Sequence, residues 1–277
     1  MSSIGTPTTN TASASSSSVA VTKPTGLAVN DLMLAQVITR DSATGATTPN
    51  TPTGWTIVYS DSTSSFGYIV FRKMADSADV AASTFTFSGS SGTNKVIASM
   101  SKFSGVDLVT PINASSNAKT TGTSLATATI TPNIQSMFVM FSSVFVGTGG
   151  IRTVSGYSMV TSNPAWTEAF DVNDGSTSHL SMAYAGGRTA ITATGAVTAT
   201  VSSSADENSL GILALTPTVF RPASLAGALI VNNIIIPFLA QSFFALLTVV
   251  EPVIVIVANK WSNTQKNVSA WLNPPKS

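Results

Sequence analysis

The sequence predicts an all-β fold, and three observations carry that prediction. From Val19 to Leu215 short alternating or apolar runs rich in Val, Ile, Phe and Thr are separated by clusters of Gly, Ser, Asn and Pro, the pattern of strands and turns. No window there sustains a 3.6-residue apolar period, so helices should be few and short. Charged residues make up only 9% of the 277 residues, where a soluble domain has roughly a quarter. Ser, Thr, Gly, Ala and Asn fill much of the remainder, as suits an uncharged, turn-rich β protein.

Residues 1–18 come first as a Ser/Thr-rich N-terminal arm ending in the run Ser15 to Ser18. By composition it is flexible, ordering only against neighbours. Strands are then expected over Ser17 to Thr22, Asp31 to Arg40, Gly54 to Ser60, Gly67 to Met74, Ser83 to Ser88 and Lys95 to Phe103. A second set follows at Ala126 to Thr131, Ser136 to Val146, Ala165 to Val172, Ser178 to Ala185, Val197 to Ser202 and Ser209 to Thr216. Strands at this spacing suggest a sandwich or jelly roll.

The two sets match one another. Pro24 pairs with Pro132 at an offset of about 108 residues, Trp55 with Trp166 and Tyr59 with Phe170 at about 111, and Phe87 with Val201 and Val96 with Leu210 at about 114. Pro52-Thr-Gly-Trp55-Thr recurs as Pro164-Ala-Trp166-Thr, and Thr84-Phe-Thr-Phe87-Ser as Thr198-Ala-Thr-Val201-Ser. Residues 19–217 therefore read as one pseudo-symmetric, jelly-roll-like antiparallel β-sandwich with repeats over about 20–103 and 127–216. Each unit would bury its one apolar face against the other, with both tryptophans in the core.

Residues 218–260 change character, since between Arg221 and Lys260 the only charged residue is Glu251. Residues 225–250 are long enough to cross a bilayer as a helix. Against that stand Asn232, Asn233 and Pro237, and the β-branched runs Ile234-Ile235-Ile236 and Val253-Ile254-Val-Ile-Val257 fit strands at least as well. Glu251-Pro252 would break either element. The segment is read as an assembly surface buried between copies of the protein, with membrane contact through 225–250 as the alternative. Its candidate contacts are Leu225, Ile234, Ile235, Ile236, Phe238, Phe243, Phe244, Val253 and Ile254. Trp261 and Trp271 join them, as heads of a Trp-x-Asn-x-x-Lys pattern that occurs twice in the 261–277 tail.

Composition narrows the chemistry. With 13 Lys plus Arg against 12 Asp plus Glu, the net charge is +1, which gives no footprint for nucleic acid. The absence of cysteine excludes disulfides, thiol nucleophiles and thiolate metal sites, and His179 is the single histidine. Gly89-Ser-Ser-Gly92-Thr-Asn-Lys95 lacks the spacing and following helix of a phosphate loop and reads as a hairpin loop. Asp171, Asn173, Asp174 and Gly175 offer oxygen ligands, but no Glu completes a calcium loop, and Asn-Asp-Gly is a turn signal. His179 has no nearby acid or serine suggesting a triad and reads as a surface or partly buried strand residue. Trp55 and Trp166 could be sugar-stacking platforms, but their repetition favours core packing. No catalytic residue, cofactor or metal is assigned, and the chain reads as non-enzymatic.

Several ordered motifs carry a resemblance over about 19–217. They are Thr22-Lys-Pro24-Thr-Gly26 leading to Asp31-Leu-Met-Leu-Ala35, Pro52-Thr-Gly-Trp-Thr56, Phe103-Ser-Gly-Val-Asp107-Leu-Val-Thr-Pro111-Ile and Trp166-Thr-Glu-Ala-Phe-Asp171. Together these resemble β-sandwich modules of bacteriophage virion proteins, especially tail and fibre components, which also occur in bacterial surface proteins. The resemblance implies a tail, fibre or head-attached virion subunit that assembles through its termini with copies of itself and other virion proteins. Met1 to Thr22 lacks the basic and apolar regions of a secretory signal, which fits assembly in a host cytoplasm. The alternative is a glycan-binding adhesin module, anchored at a cell surface by the same C-terminus and meeting a host-surface glycan.

Overall fold

The computed structural model describes residues 4–41, 45–62, 66–132, 134–147, 150–161, 164–186, 193–218, 228–231, 234–237, 245–250 and 253–258. The chain forms two compact units, Met1–Val219 and Phe220–Ser277.

The first unit is an antiparallel β-sandwich. Its first half contains β1 (Thr8–Ala14), β2 (Ser18–Thr22), β3 (Leu32–Asp41), β4 (Gly45–Ala46), β5 (Thr56–Ser62), β6 (Gly67–Met74), the helix α1 (Ser77–Ala81), β7 (Thr84–Ser88) and β8 (Lys95–Phe103). The second half contains β9 (Ile112–Thr127), β10 (Met137–Phe145), β11 (Val154–Met159), β12 (Trp166–Asn173), β13 (Ser178–Ala185) and β14 (Val197–Leu215). One sheet runs β1-β8-β3-β6-β5 with β4 on the end of β3, the other β11-β14-β10-β13-β12 with β9 also on β14. Residues 8–103 thus supply one main sheet and 112–215 the other, whereas a jelly roll passes repeatedly between its sheets.

Apolar burial falls into three clusters. The central one lies between the sheets and joins Leu32, Leu34, Tyr59, Tyr68 and Phe103 of the first half to Val139, Phe141, Phe170, Leu180 and Leu213 of the second. The expectation of one apolar face per half was too simple, because the outer faces are also covered. In the first half β2 and β7 pair as a separate ribbon, and Val19, Val21 and Phe87 pack with Met33, Ala35, Phe71 and Trp55. In the second half β11, the start of β14 and the end of β9 do the same, placing Leu125, Val154, Tyr157 and Val201 with Phe138, Met140 and Ile212. Central strands covered on both sides lose polar alternation, and every residue of β10 is buried.

The strands over 67–74, 95–103 and 178–185 have the expected limits. The larger differences arise where the apolar signal is weak. Residues 8–14 of the presumed arm pair with Val96 to Lys102 of the same chain. Of the strand expected at Ala126 to Thr131 only Ala126 and Thr127 are in strand, as the end of a longer β9 whose first part reads Ile-Asn-Ala-Ser-Ser-Asn-Ala-Lys. Both are edge strands pairing on one side, so hydrogen bonding holds them where side-chain burial gives little period to read. The two segments expected at 197–202 and 209–216 form one bulged strand, β14. In α1, Asp76 and Asp79 make a reciprocal capping box, and Lys73 binds Asp79 at 2.6 Å.

In the second unit β15 (Ala228–Val231) pairs with β16 (Ile234–Pro237), and β17 (Ala245–Val250) with β18 (Val253–Ala258), both antiparallel. The described part of the apolar segment is therefore strand, with Asn232-Asn233 and Glu251-Pro252 falling between paired strands. Among the described residues no helix is long and apolar enough to cross a membrane.

Candidate functional site

The sandwich carries a shallow depression of about 360 Å³ between β11 and β12, lined by Ser155, Gly156, Tyr157, Pro164, Trp166 and Glu168. Both strands that line it carry a bulge. The pairing of β11 with β14 shifts between Ser155 and Ser158, and Gly156 there has φ +63°, a left-handed conformation that L side chains rarely adopt. Tyr157 is thereby buried, with its hydroxyl donating to Ser181 Oγ at 2.8 Å. Burial holds this phenol above its ordinary pKa.

The second bulge lies between Glu168 and Phe170 in the β12–β13 register. Residues four apart on a regular strand share a face, but the extra residue reverses the alternation. Trp166 therefore packs against the outer cluster while Phe170 enters the central one. The first half has the same arrangement, with a bulge between Ile57 and Tyr59, Trp55 in the outer cluster and Tyr59 in the central one.

The two tryptophans nevertheless differ, which corrects the expectation that both lie in the core. Trp55 is 9% exposed and meets the edges of Phe85 and Phe87, with centroids at 6.3 and 5.6 Å. Trp166 is half-buried, its ring tilted 37° to Tyr157 with centroids 6.5 Å apart. Where the sequence repeat has Phe85 and Phe87 in the first half, it has Ala199 and Val201 in the second. Phe-Thr-Phe against Ala-Thr-Val is the sequence difference at these matched positions.

Glu168, two residues beyond Trp166, is exposed and is the one carboxylate lining the depression. Asp171 is outside the lining and accepts the Val154 amide at 2.7 Å. Burial pushes its carboxyl up to about 6, from 3.8, with nearby Glu168 adding to the rise and the Val154 bond opposing it. The folded state therefore holds this proton more tightly, so the contribution to stability is full below about pH 4 and is lost as pH rises through about 6. Asp171→Asn is expected to gain stability relative to the parent as pH rises from about 4 through about 6, as read from urea midpoints of both proteins at each pH. An unchanged difference would show that Asp171 does not carry this dependence.

The other candidates resolve into structural roles. Asp174 Oδ1 accepts the amides of Ser176, Thr177 and Ser178, and Oδ2 receives Lys95 at 2.9 Å. Burial alone would raise its carboxyl, but Lys95 and the three amides outweigh that and hold it low. Asn173 accepts the Gly175 amide at 2.8 Å. The turn and a tie to β8 thus occupy the oxygens considered as calcium ligands, and the described residues contain no acidic or histidine cluster able to hold a metal. His179 is fully buried rather than at the surface, with Nε2 3.3 Å from the Gly150 carbonyl. Burial lowers its pKa. The 89–95 loop connects β7 to β8, but these strands do not pair with each other: β7 pairs with β2 and β8 with β1 and β3, so the segment is a crossover between two sheets and not the hairpin loop expected.

Of the assembly candidates, Ile234, Ile235 and Ile236 lie on β16, and Val253 and Ile254 on β18. Leu225, Phe238, Phe243, Phe244, Trp261 and Trp271 lie outside the described residues. Comparison with family models, curated proteins and solved structures gives no match.

Proposed function

We propose that this chain is a non-enzymatic structural subunit of a bacteriophage-like virion, of tail, fibre or head-attached type, which joins its particle through residues 218–260. The observation that carries this reading is the pair of C-terminal hairpins. Thr248 is the one polar residue among the paired positions of β17 and β18, and β15 and β16 have none. Alternate strand residues face opposite ways, so neither face of these hairpins is polar. A two-stranded hairpin is at best marginally stable in water, and each large apolar side chain left exposed forfeits roughly 1.5–3 kcal/mol. Further copies of the chain, joined by other virion proteins, provide the cover. Assembly rests on the C-terminal end alone, since β1 already belongs to the chain's own sheet. The resemblance of the sandwich's sequence motifs to those of phage virion modules supports the placement in a particle.

The sandwich itself is read as a duplication. Both halves order their strands alike if β9 is set against β1 plus β2, and β14 against β8 plus β7. Their bulges fall at Val58 and Ala169, which share the Trp55 to Trp166 offset of about 111 residues.

Truncation after Val219 tests the assembly reading. The full chain is expected to form large assemblies in detergent-free buffer, while the truncated protein is monomeric with an unchanged thermal midpoint. A monodisperse full-length monomer, or release from liposomes by detergent alone, would overturn the proposal and favour the adhesin.

A further inference from the structure

We infer that the depression between β11 and β12 binds a neutral, β-linked, gluco-configured saccharide chain, with one pyranose ring stacked on Trp166. This inference is independent of the assembly reading, because the lining residues named above all belong to the first unit.

The first argument is the contrast between the two tryptophans. Phe85 and Phe87 cover Trp55, whereas Ala199 and Val201 take the matching places in the second half. Trp166 is half-buried and lines an open depression. Isolated exposed apolar residues are ordinary, but this indole stands with a second ring and polar groups around one concavity. Tyr157 Oη is engaged by Ser181, whose Oγ also lies against Ser142 Oγ, so the second ring is anchored in the core. A wall fixed before binding lowers the ordering cost of recognition.

The second argument is chemical. A pyranose with equatorial substituents has an apolar face of axial C–H bonds and a rim of hydroxyls. Trp166 offers aromatic surface to such a face, with buried Tyr157 fixed beside it. Glu168 carboxylate and Ser155 hydroxyl, both exposed on the lining, can accept hydrogen bonds from the rim. The carboxylate disfavours acidic sugars by like-charge repulsion. The shallow form suits a chain crossing the surface better than a small molecule enclosed on all sides.

Saturation-transfer NMR of the full-length protein with cellotetraose and with tetra-N-acetylchitotetraose tests the site, and choline serves as a cationic control. Transfer to the axial C–H protons of at least one sugar is expected, with affinity in the millimolar range. Trp166→Ala should abolish transfer and Trp166→Tyr should retain it. Glu168→Ala, at an exposed position, should weaken binding about tenfold with an unchanged thermal midpoint, so a test remains if Trp166→Ala fails to fold. Transfer to neither sugar, transfer to choline alone, or sugar binding undiminished in Glu168→Ala or in folded Trp166→Ala would overturn the inference. Because the readout is ligand contact and not particle size, its failure leaves the assembly reading intact.

Discussion

Gly211→Ala is expected to destabilise the sandwich by about 3 kcal/mol, toward the upper end of overpacking penalties. Gly211 lies on β14 opposite Phe141 of β10 and Asn117 of β9, and Tyr59 of the other sheet fills the space above its backbone. A Cβ at 211 would stand 2.2 Å from Tyr59 Oη, 2.4 Å from Cζ and 2.7 Å from Cε1. The phenol has little room to yield, because Tyr59 packs in the central cluster and meets Tyr68 edge-on, with ring centroids 5.9 Å apart. Tyr68 in turn donates to Gln36 Oε1 at 2.7 Å, and Gln36 Nε2 donates across the sandwich to the Ser181 carbonyl at 3.1 Å. An added methyl must therefore shift two sheets or displace a linked set of buried side chains. Tyr59→Leu removes the ring that collides. In chemical denaturation, the double variant should be less destabilised than the sum of the two single changes. Full additivity would mean that the contact does not limit the approach of the sheets.

Much of the sandwich was legible in the sequence, and Tyr59 and Gly211 show where legibility ended. Tyr59 could be matched with Phe170 and placed on a strand, because strand periodicity and repetition are local properties. That it reaches the opposite sheet beside a glycine depends on the bulge after Ile57, which changes the face of every later residue. The same limitation applied at Trp166. The repeat identified its position, but its partial exposure is set by tertiary packing against the outer cluster, which strand periodicity does not report. Polar edge strands failed for another reason. Thr8 to Ala14 and Ile112 to Lys119 owe their pairing to backbone hydrogen bonds, which every composition can make. The apolar C-terminal strands were legible as an alternative to a helix, through their β-branched residues and the breaks at Asn232-Asn233 and Glu251-Pro252.

Asp61→Asn is expected to cost about 2 kcal/mol, although it changes only one atom of a side chain. Asp61 lies two residues beyond Tyr59 on β5, and its partner Ser209 lies two residues before Gly211 on β14, so the two contacts are neighbours along one seam between the sheets. The carboxylate is 6% exposed. Asn117 Nδ2 lies 3.0 Å from each of its oxygens, and Ser209 Oγ donates to Oδ2. An ionised carboxylate can accept from all sides, while an amide presents an oxygen on one side and an NH₂ on the other. In Asp61→Asn the new NH₂ stands against Asn117 Nδ2 in either orientation, and in one of them it also meets Ser209, whose hydroxyl can rotate to accept. The Asn117 NH₂ in either case loses a charged acceptor in a buried place. Moving the carboxylate across the seam, in Asp61→Asn with Asn117→Asp, restores a donor facing an acceptor. The double variant should recover at least half of the loss in a urea-denaturation cycle. A single variant as stable as the parent would show that the seam is held by the packing of Tyr59 over Gly211 alone, with the buried carboxylate contributing nothing.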